Sequence, residues 1–370
     1  MKLISRKIKY HVKNLLAISF GIVISLFILE IFLRIYNPIP TRVKGHRIVL
    51  PVNQKYETQN NTIPGLDPYI VHTKNALGFR GENLTDNFTD RLSIITVGGS
   101  TTECFYLSDG QDWPNILGKN LKQEFPNIWI NNAGLDGHST FGHQILLDDF
   151  LLKLKPKFIL FLVGVNDIER KDLSSYDSAQ LNNFKHPNLK LRLIEHSELL
   201  NTMYVVVKKW RARKEQIGHW YMDVNKVDTL SNSSKEIHDI VTSQKPFLSN
   251  YKSRLQRLIR TCKANNITPV FLTQPMLFGD VNDPATGKYL GNIWLRKRSS
   301  LAYWHTMEAY NAVTLNTCSQ NNVTCIDLAA KMPKSTMLFY DEVHYKKAGA
   351  DTLAAIVVKE LLPILKNYKY

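Results

Sequence analysis

The chain opens on an apolar run unlike anything after it. Residues 15–33 read LLAISFGIVISLFILEIFL, and Glu30 is the only ionisable residue among them. About 20 mostly apolar residues suffice for a helix to cross a bilayer, so the run is long enough. Lys2, Arg6, Lys7, Lys9 and Lys13 precede it. A positive flank favours a cytoplasmic N-terminus, with the rest of the chain facing outward. A cleaved signal peptide would have a shorter apolar core and a small-residue cleavage site. Here Phe32-Leu33-Arg34-Ile35-Tyr36 closes the run with no A-x-A pattern. The expectation is a basic cytoplasmic segment over 1–14, an uncleaved transmembrane anchor over 15–36 and an extracytoplasmic lead-in over 37–90. Pro38 and Pro40 stop the helix.

From about Arg42 to Asp90 the pattern is irregular, with Pro, Asn and Thr throughout. Alternation then begins. Leu92 to Val97 is a short β-branched run ending at Gly98-Gly99, and a helix is predicted over about Trp113 to Phe125. Ile128 to Asn131 reads as a strand, and Thr140 to Leu154 as a helix. Phe158 to Val163 is continuously apolar, as expected of a strand buried on both faces. The alternation breaks near Glu169 and resumes near Leu248. The insertion, about 169–247, carries a predicted helix over Ser197 to Lys214, with Leu199, Leu200, Met203, Tyr204, Val207 and Trp210 at helical spacing. Helices over about 249–265, 298–319 and 346–365 and strands over 268–273 and 323–326 complete the pattern. Strand–helix alternation implies a mostly parallel sheet covered on both faces, a three-layer α/β/α sandwich over 91–370. Sites in such sheets form at the C-terminal ends of the strands.

Composition changes this picture little. Hydrophobic residues make up 44% and charged residues 21% of the 370, which is ordinary for a globular chain. The net charge is +15. The basic groups, tightest at Lys208 to Lys214 and Arg296-Lys297-Arg298, read as solvated helix faces, with a membrane-facing or polyanion-facing surface as the alternative. No nucleic-acid motif is present, so no nucleic-acid partner is expected. Cys104, Cys262, Cys318 and Cys325 form no CxxC pair, and His138, His143 and His305 lack a metal-ligand pattern, so no metal is expected. Cys318 and Cys325 could bridge a turn if the domain is exported; free buried thiols are the alternative.

Four loops carry candidate chemistry. Val97-Gly98-Gly99-Ser100-Thr101-Thr102-Glu103 directly follows the first core strand. The glycines permit a tight turn and close backbone approach. A helix starting after them would favour negative charge at Ser100. The same Ser-x-x-Glu also fits a capping box, in which Ser100 and Glu103 satisfy orphan N–H groups. Asn131 to Thr140 follows the second strand, and Gly137 there can turn its N–H toward the serine. Gly164-Val165-Asn166-Asp167 follows the third, and the Asn166 amide can donate to a developing oxyanion. Each of these two also fits an ordinary turn. Asp341-Glu342-Val343-His344 precedes the last helix. A serine nucleophile needs a base, and that imidazole needs a partner; Asp341 can reach the His344 ring across one turn. A doubly wound sheet would bring all four loops to one edge.

With these blocks the chain resembles the SGNH hydrolases, the GDSL-type esterases and lipases, over roughly Arg91 to Leu365 minus the insertion. The resemblance implies an SGNH, flavodoxin-like fold, a Ser100–His344–Asp341 triad, an oxyanion hole from Ser100, Gly137 and Asn166, and no cofactor. The usual Gly-Asp-Ser is Gly98-Gly99-Ser100 here, which weakens the label "lipase" without touching the triad. Gly-Gly-Ser-Thr-Thr and Asn75-Ala76-Leu77-Gly78-Phe79-Arg80-Gly81 resemble segments of membrane-anchored bacterial members, some of which modify surface glycans. No role is assigned to Arg80 beyond a structural ion pair. The expected protein is a single-pass bacterial plasma-membrane esterase with a periplasmic catalytic domain, removing acyl groups, acetyl foremost, from a glycan-linked ester. An O-acyltransferase using the same triad is the first alternative. A non-catalytic glycan-binding or assembly protein is the second.

Overall fold

The computed structural model describes residues 2–37, 39, 43–44, 47–169, 188–214 and 219–368. The chain divides into two compact units, Met1–Pro51 with Ala179–Gly218, and Val52–Ser178 with His219–Tyr370. Of the insertion, residues 170–187 and 215–218 lie outside the described residues, as do the side chains of Lys208, Lys209 and Arg211 to Lys214.

The larger unit holds the sheet. Its strands are β1 (Gln54–Gln59), β2 (Tyr69–Lys74), β3 (Arg80–Gly81), β4 (Leu92–Gly98), β5 (Ile128–Asn132), β6 (Phe158–Leu162), β7 (Thr268–Leu272) and β8 (Thr324–Ile326). β1 and β2 pair as an antiparallel hairpin. The other six form one sheet in the order β8-β7-β6-β4-β5-β3. All its pairs are parallel except β3 on β5. Every residue of β4, β5 and β6 is buried, which explains their unbroken apolar runs: helices cover both faces.

Helices α2 (Ser100–Glu103), α3 (Trp113–Leu121) and α4 (Thr140–Leu146) follow the first two parallel strands. The helix expected over 140–154 is interrupted by a π-turn at Leu147–Leu151. The later helices of the larger unit include α7 (Ser234–Thr242), α8 (Lys245–Ala264), α9 (Ser300–Gln320) and α10 (Lys347–Lys366). α3 packs with α10, and α8 packs with α4 and α9. α9 begins later than expected because Trp294–Leu295 and Arg298–Ser299 form a small hairpin, with Ser299 capping the helix. Arg296 and Arg298 are therefore not on a solvated helix face; they pair with Glu342 and Glu169.

The order of the strands decides where the site lies. The chain steps from β4 to β5 on one side and then returns past β4 to β6 on the other. Loops leaving β4 thus diverge from those leaving its neighbours, and a crevice opens at the carboxyl end of β4. Ser100 stands there.

The lead-in is less irregular than its composition suggests. The β1–β2 hairpin and β3 both fall within it, and β3 is an edge strand of the main sheet. Its alternation was masked because buried positions of β2 are polar: His72 and Lys74 are 1% and 3% exposed.

The smaller unit contains α1 (Lys2–Ile35), α5 (Leu189–His196) and α6 (Glu198–Lys214). Within α1, an 18-residue window of Tyr10–Ile35 has mean hydropathy 2.6. Glu30 caps α6: its carboxylate accepts from Ser197 Oγ at 2.8 Å, Glu198 N at 3.0 Å and Leu199 N at 2.9 Å. Arg34 Nη2 donates to His196 O at 2.6 Å.

Candidate active site

A turn of four residues is too short to be stable alone, so α2 must be held by its surroundings. Its carbonyls, which lack helical partners, receive buried donors. Trp113 Nε1 donates to Thr101 O at 3.1 Å, and Asn132 Nδ2 to Thr102 O at 2.7 Å. Arg80 Nη1 donates to Glu103 O and Cys104 O, both at 2.8 Å, and Nη2 to Leu107 O at 2.8 Å. Arg80 is 1% exposed and also faces Asp112 at 3.3 Å. It is more than the structural ion pair that its sequence position suggested: it pins the backbone after Ser100.

The alternative reading of Ser100 and Glu103 as a capping box does not hold. Gly99 is the N-cap of α2 and Ser100 is its first helical residue. Glu103 turns the other way, pairing with the buried Lys74 at 3.1 Å and accepting from Asp136 N at 2.7 Å. The Ser100 hydroxyl is left for another partner. That partner is His344, whose Nε2 lies 2.7 Å from Ser100 Oγ.

The 339–345 loop orients the imidazole. Asp341 Oδ1 accepts from Val343 N at 2.9 Å and His344 N at 2.8 Å, and Oδ2 lies 2.6 Å from His344 Nδ1. One carboxylate oxygen thus shapes the turn and the other fixes the ring. With Nδ1–H given to Asp341, Nε2 offers a lone pair to the Ser100 hydroxyl. Burial alone would raise the Asp341 carboxyl, but the His344 charge and the hydrogen bonds hold it below the usual range. Burial likewise opposes a charged His344, yet the Asp341 charge outweighs it and raises the imidazole above its ordinary value.

The remaining candidate residues lie on the next two loops, and Asn166 comes up beside Gly99. Gly137 has φ +73°, a left-handed conformation that glycine adopts freely, within the turn closed by His138 N to Leu135 O at 3.1 Å. Asn166 Nδ2 donates to His138 O at 2.9 Å, and a Cβ on Gly99 would stand 2.1 Å from it. In this structure the Asn166 amide fills the place that a side chain at position 99 would take. Asp167 anchors this loop, accepting from Thr140 N at 3.1 Å, Thr140 Oγ1 at 2.6 Å and Arg254 Nη2 at 3.1 Å. Arg254 carried no sequence signal, since it sits on the far side of the insertion in an ordinary amphipathic helix.

A shallow hollow of about 10 Å³ adjoins Ser100 and His344, walled by Tyr106, Leu107, Tyr340 and Tyr345. His219, Asp341 and His344 place ligand-type atoms within 4.8 Å of one another. Asp341 and His344 already engage each other, and the His219 and His344 rings lie centroid to centroid at 4.0 Å, inclined by 36°. Cys104 is buried, and burial pushes its thiol up. Cys318 and Cys325 are free thiols within hydrogen-bonding reach of each other.

A comparison with curated proteins finds no match. Among solved structures, the acetylxylan esterase Axe2 of Geobacillus stearothermophilus is similar at 16% identity and a TM-score of 0.42, over 75% of this chain and 94% of that one. LAE5, an alpha/beta hydrolase from the metagenome of Lake Arreo, Spain, is similar at 13% identity and a TM-score of 0.42, over 72% and 93%. The acetyl xylan esterase AlAXEase is similar at 13% and 0.41, over 73% and 99%. Residues 96–351, which hold Ser100, Gly137, Asn166, Asp341 and His344, match the model of the GDSL-like lipase/acylhydrolase family, and the chain belongs to that family of carboxylic ester hydrolases.

Proposed function

We propose that the protein is a membrane-anchored serine esterase that removes short acyl groups, acetyl foremost, from a glycan-linked ester. The observation that carries the reading is the hydrogen-bonded chain Ser100 Oγ, His344 Nε2, His344 Nδ1, Asp341 Oδ2. His344 takes the Ser100 proton as Oγ attacks the ester carbonyl carbon. The oxyanion so formed is met by the N–H of Ser100, an orphan donor at the start of α2, by the N–H of Gly137 and by the Asn166 amide. One such donor contributes about 10²–10³ in rate. His344 then gives its proton to the leaving alcohol. Water attacks the acyl-enzyme with His344 again as base, and Ser100 is released. Asp341 orients His344 and stabilises its charged form.

Short acyl groups, acetyl foremost, are supported by how little free space adjoins Ser100 and His344. A glycan as the alcohol follows from the likeness of the 75–81 and 98–102 segments to membrane-anchored bacterial enzymes that modify surface glycans. In this reading α1 crosses the bacterial plasma membrane, and the basic residues before it keep the N-terminus cytoplasmic. The catalytic unit then lies on the periplasmic side. Retention of α1 rather than cleavage is supported by Glu30 and Arg34, which hold the start of α6 and the end of α5. α6 leaves Met203, Val207 and Trp210 exposed at 57%, 47% and 63%, so it fits a membrane surface beside the anchor.

Fluorophosphonate labelling tests the nucleophile. Full-length protein in detergent is expected to label, Ser100→Ala to lose the label, and Cys104→Ala to keep it. Absence of label on the wild type, with a known serine esterase labelled alongside, sinks the proposal. Acetate, butyrate and octanoate esters of one phenol test the acyl group, with turnover expected to fall along the series.

A further inference from the structure

Two helices of the catalytic unit end in the same way, and a cysteine holds the same place in each. At the end of α9, Cys318 O accepts from Asn321 N at 3.1 Å and Val323 N at 3.0 Å, and Asn322 N donates to Ser319 O at 3.2 Å. Asn322 has φ +50°. This is a Schellman turn with asparagine in the left-handed position. At the end of α8, Cys262 O accepts from Asn265 N and Ile267 N, both at 3.0 Å, and Asn266 N donates to Lys263 O at 3.2 Å. Asn266 has φ +56°. The first turn leads into β8 and the second into β7.

The two differ just past the turn. Where β7 has Pro269, β8 has Cys325. The turn lays β8 back against α9, and the Cys318 and Cys325 sulfurs come within hydrogen-bonding reach of each other. Both are free thiols in this structure. Cys318 is 1% exposed, and Cys325 is partly exposed. β8 is three residues long and lies at the edge of the sheet, where its ladder to β7 holds it.

We propose that Cys318 and Cys325 close into a disulfide that staples the edge strand β8 to α9. The staple rests on the reading that puts the catalytic unit outside the cytoplasm, in an oxidising compartment where such bonds persist. One cysteine thiolate attacks a sulfur of a donor protein's disulfide, making a mixed disulfide and releasing one donor thiolate. The other cysteine thiolate then attacks the sulfur of the first and releases the second donor thiolate. The two cysteines give up two protons and two electrons, and the donor leaves as a dithiol. The neighbouring Cys318 sulfur and burial push the Cys325 thiol up in the folded chain. The thiolate is the reactive form, so the bond forms fastest while the chain folds. Cys262, with proline in the facing place, stays reduced.

Cells making the full-length protein are quenched in acid, and the unfolded chain is alkylated with N-ethylmaleimide before any reductant is added. Peptide masses are expected to show Cys104 and Cys262 alkylated and the Cys318 and Cys325 peptides joined, two hydrogens lighter than their free forms. Reduction should lower the melting temperature of the purified protein in detergent by about 5 °C, the loss of a short-loop cross-link. Cys325→Ala should melt at that lower temperature with or without reductant and keep the fluorophosphonate label on Ser100. In a second arm, the purified and reduced protein is held in excess oxidised glutathione until its alkylation pattern stops changing. A bridge that forms there but is absent in cells overturns the staple through the compartment, and the export reading falls with it. A bridge absent from both, or a glutathione adduct on Cys325 alone, overturns the staple through its geometry and leaves the export reading standing.

Discussion

The Asn166 side-chain amide occupies the space that a side chain on Gly99 would fill. A Cβ at position 99 would lie 2.1 Å from Asn166 Nδ2 and 3.1 Å from His138 O. The amide cannot retreat without breaking its own 2.9 Å bond to His138 O. Gly99→Ala is therefore expected to displace the proposed oxyanion donor and leave Ser100 and His344 in place. Activity on a short acyl ester should fall by about 10²–10³ in kcat, the cost of one such donor. Fluorophosphonate labelling should persist at a reduced rate. Unchanged kcat would show that Asn166 does not act on the oxyanion.

Arg80 joins the folding problem to the catalytic one. Its guanidinium holds three carbonyls of the segment after Ser100 and faces the fully buried Asp112. Removing it leaves a buried carboxylate without its cation, a loss of about 3–5 kcal/mol. In a domain of this size that is a fall in melting temperature on the order of 10 °C. Arg80→Ala should show that fall. Arg80→Lys keeps the charge but lacks the planar fork, so it should recover part of the melting temperature and less of the activity. A variant with wild-type melting temperature and kcat would remove Arg80 from this role.

These two positions mark the limit of what the sequence made legible. Ser100, Asp341 and His344 could be nominated from short blocks next to strand ends or a helix start, and the structure joins those three by hydrogen bonds. Gly137 and Asn166 were nominated in the same way, and their roles are proposals. Glycine at 99 was readable as a departure, but the group packed against it was not, because that group comes from a loop 67 positions later, by subtraction of 99 from 166. Arg80 anchors carbonyls, and a side chain bonded to backbone leaves no pattern in the residues it touches. The capping box at Ser100 misled for a related reason: Gly99 took the cap, and Glu103 found the buried Lys74. The β1–β2 hairpin was hidden by polar residues on its buried face. His219 follows the insertion with no motif around it.

The charges on His344 and Asp341 set the pH dependence. His344 acts as base only when neutral, and its value is raised by Asp341. The acid limb of kcat/KM is therefore expected to have its midpoint above about 6.5, the ordinary histidine value. Asp341→Asn removes the raising charge. The limb should move to lower pH and kcat should fall by about 10⁴, the loss for the same change in the serine-protease triad that serves as the general template. Stability follows the same pair. The His344 contribution is complete below its unfolded value and is lost as pH rises through its raised folded value. The Asp341 contribution is complete above its unfolded value and is lost as pH falls through its depressed folded value. Both are intact between about pH 4 and 6.5. Melting curves across pH should show a broad maximum there, flatter in Asp341→Asn. An acid limb that does not move in this variant would separate Asp341 from His344.

The exposed apolar face of α6 gives the membrane reading a test of its own. Leu200, Met203, Val207 and Trp210 recur at helical spacing and are 39%, 57%, 47% and 63% exposed. Left in water, that stripe is unfavourable by about 25 cal/mol for each Å² of apolar surface. The start of α6 is fixed to Glu30, near the end of the apolar run of α1, so in the proposed membrane reading the helix begins where that run would meet the interface. Trp is the side chain that best suits the interface itself. Full-length protein in vesicles containing anionic lipid should therefore show Trp210 emission, isolated as wild type minus Trp210→Phe, shifted to the blue. Bromines placed near the headgroups should quench it more strongly than bromines at the chain ends, and aqueous iodide should quench it weakly. Strong iodide quenching without bromine quenching would put α6 in water and end its assignment to the membrane surface. The anchor in α1 would be judged separately, by whether the protein stays with the vesicles after a carbonate wash.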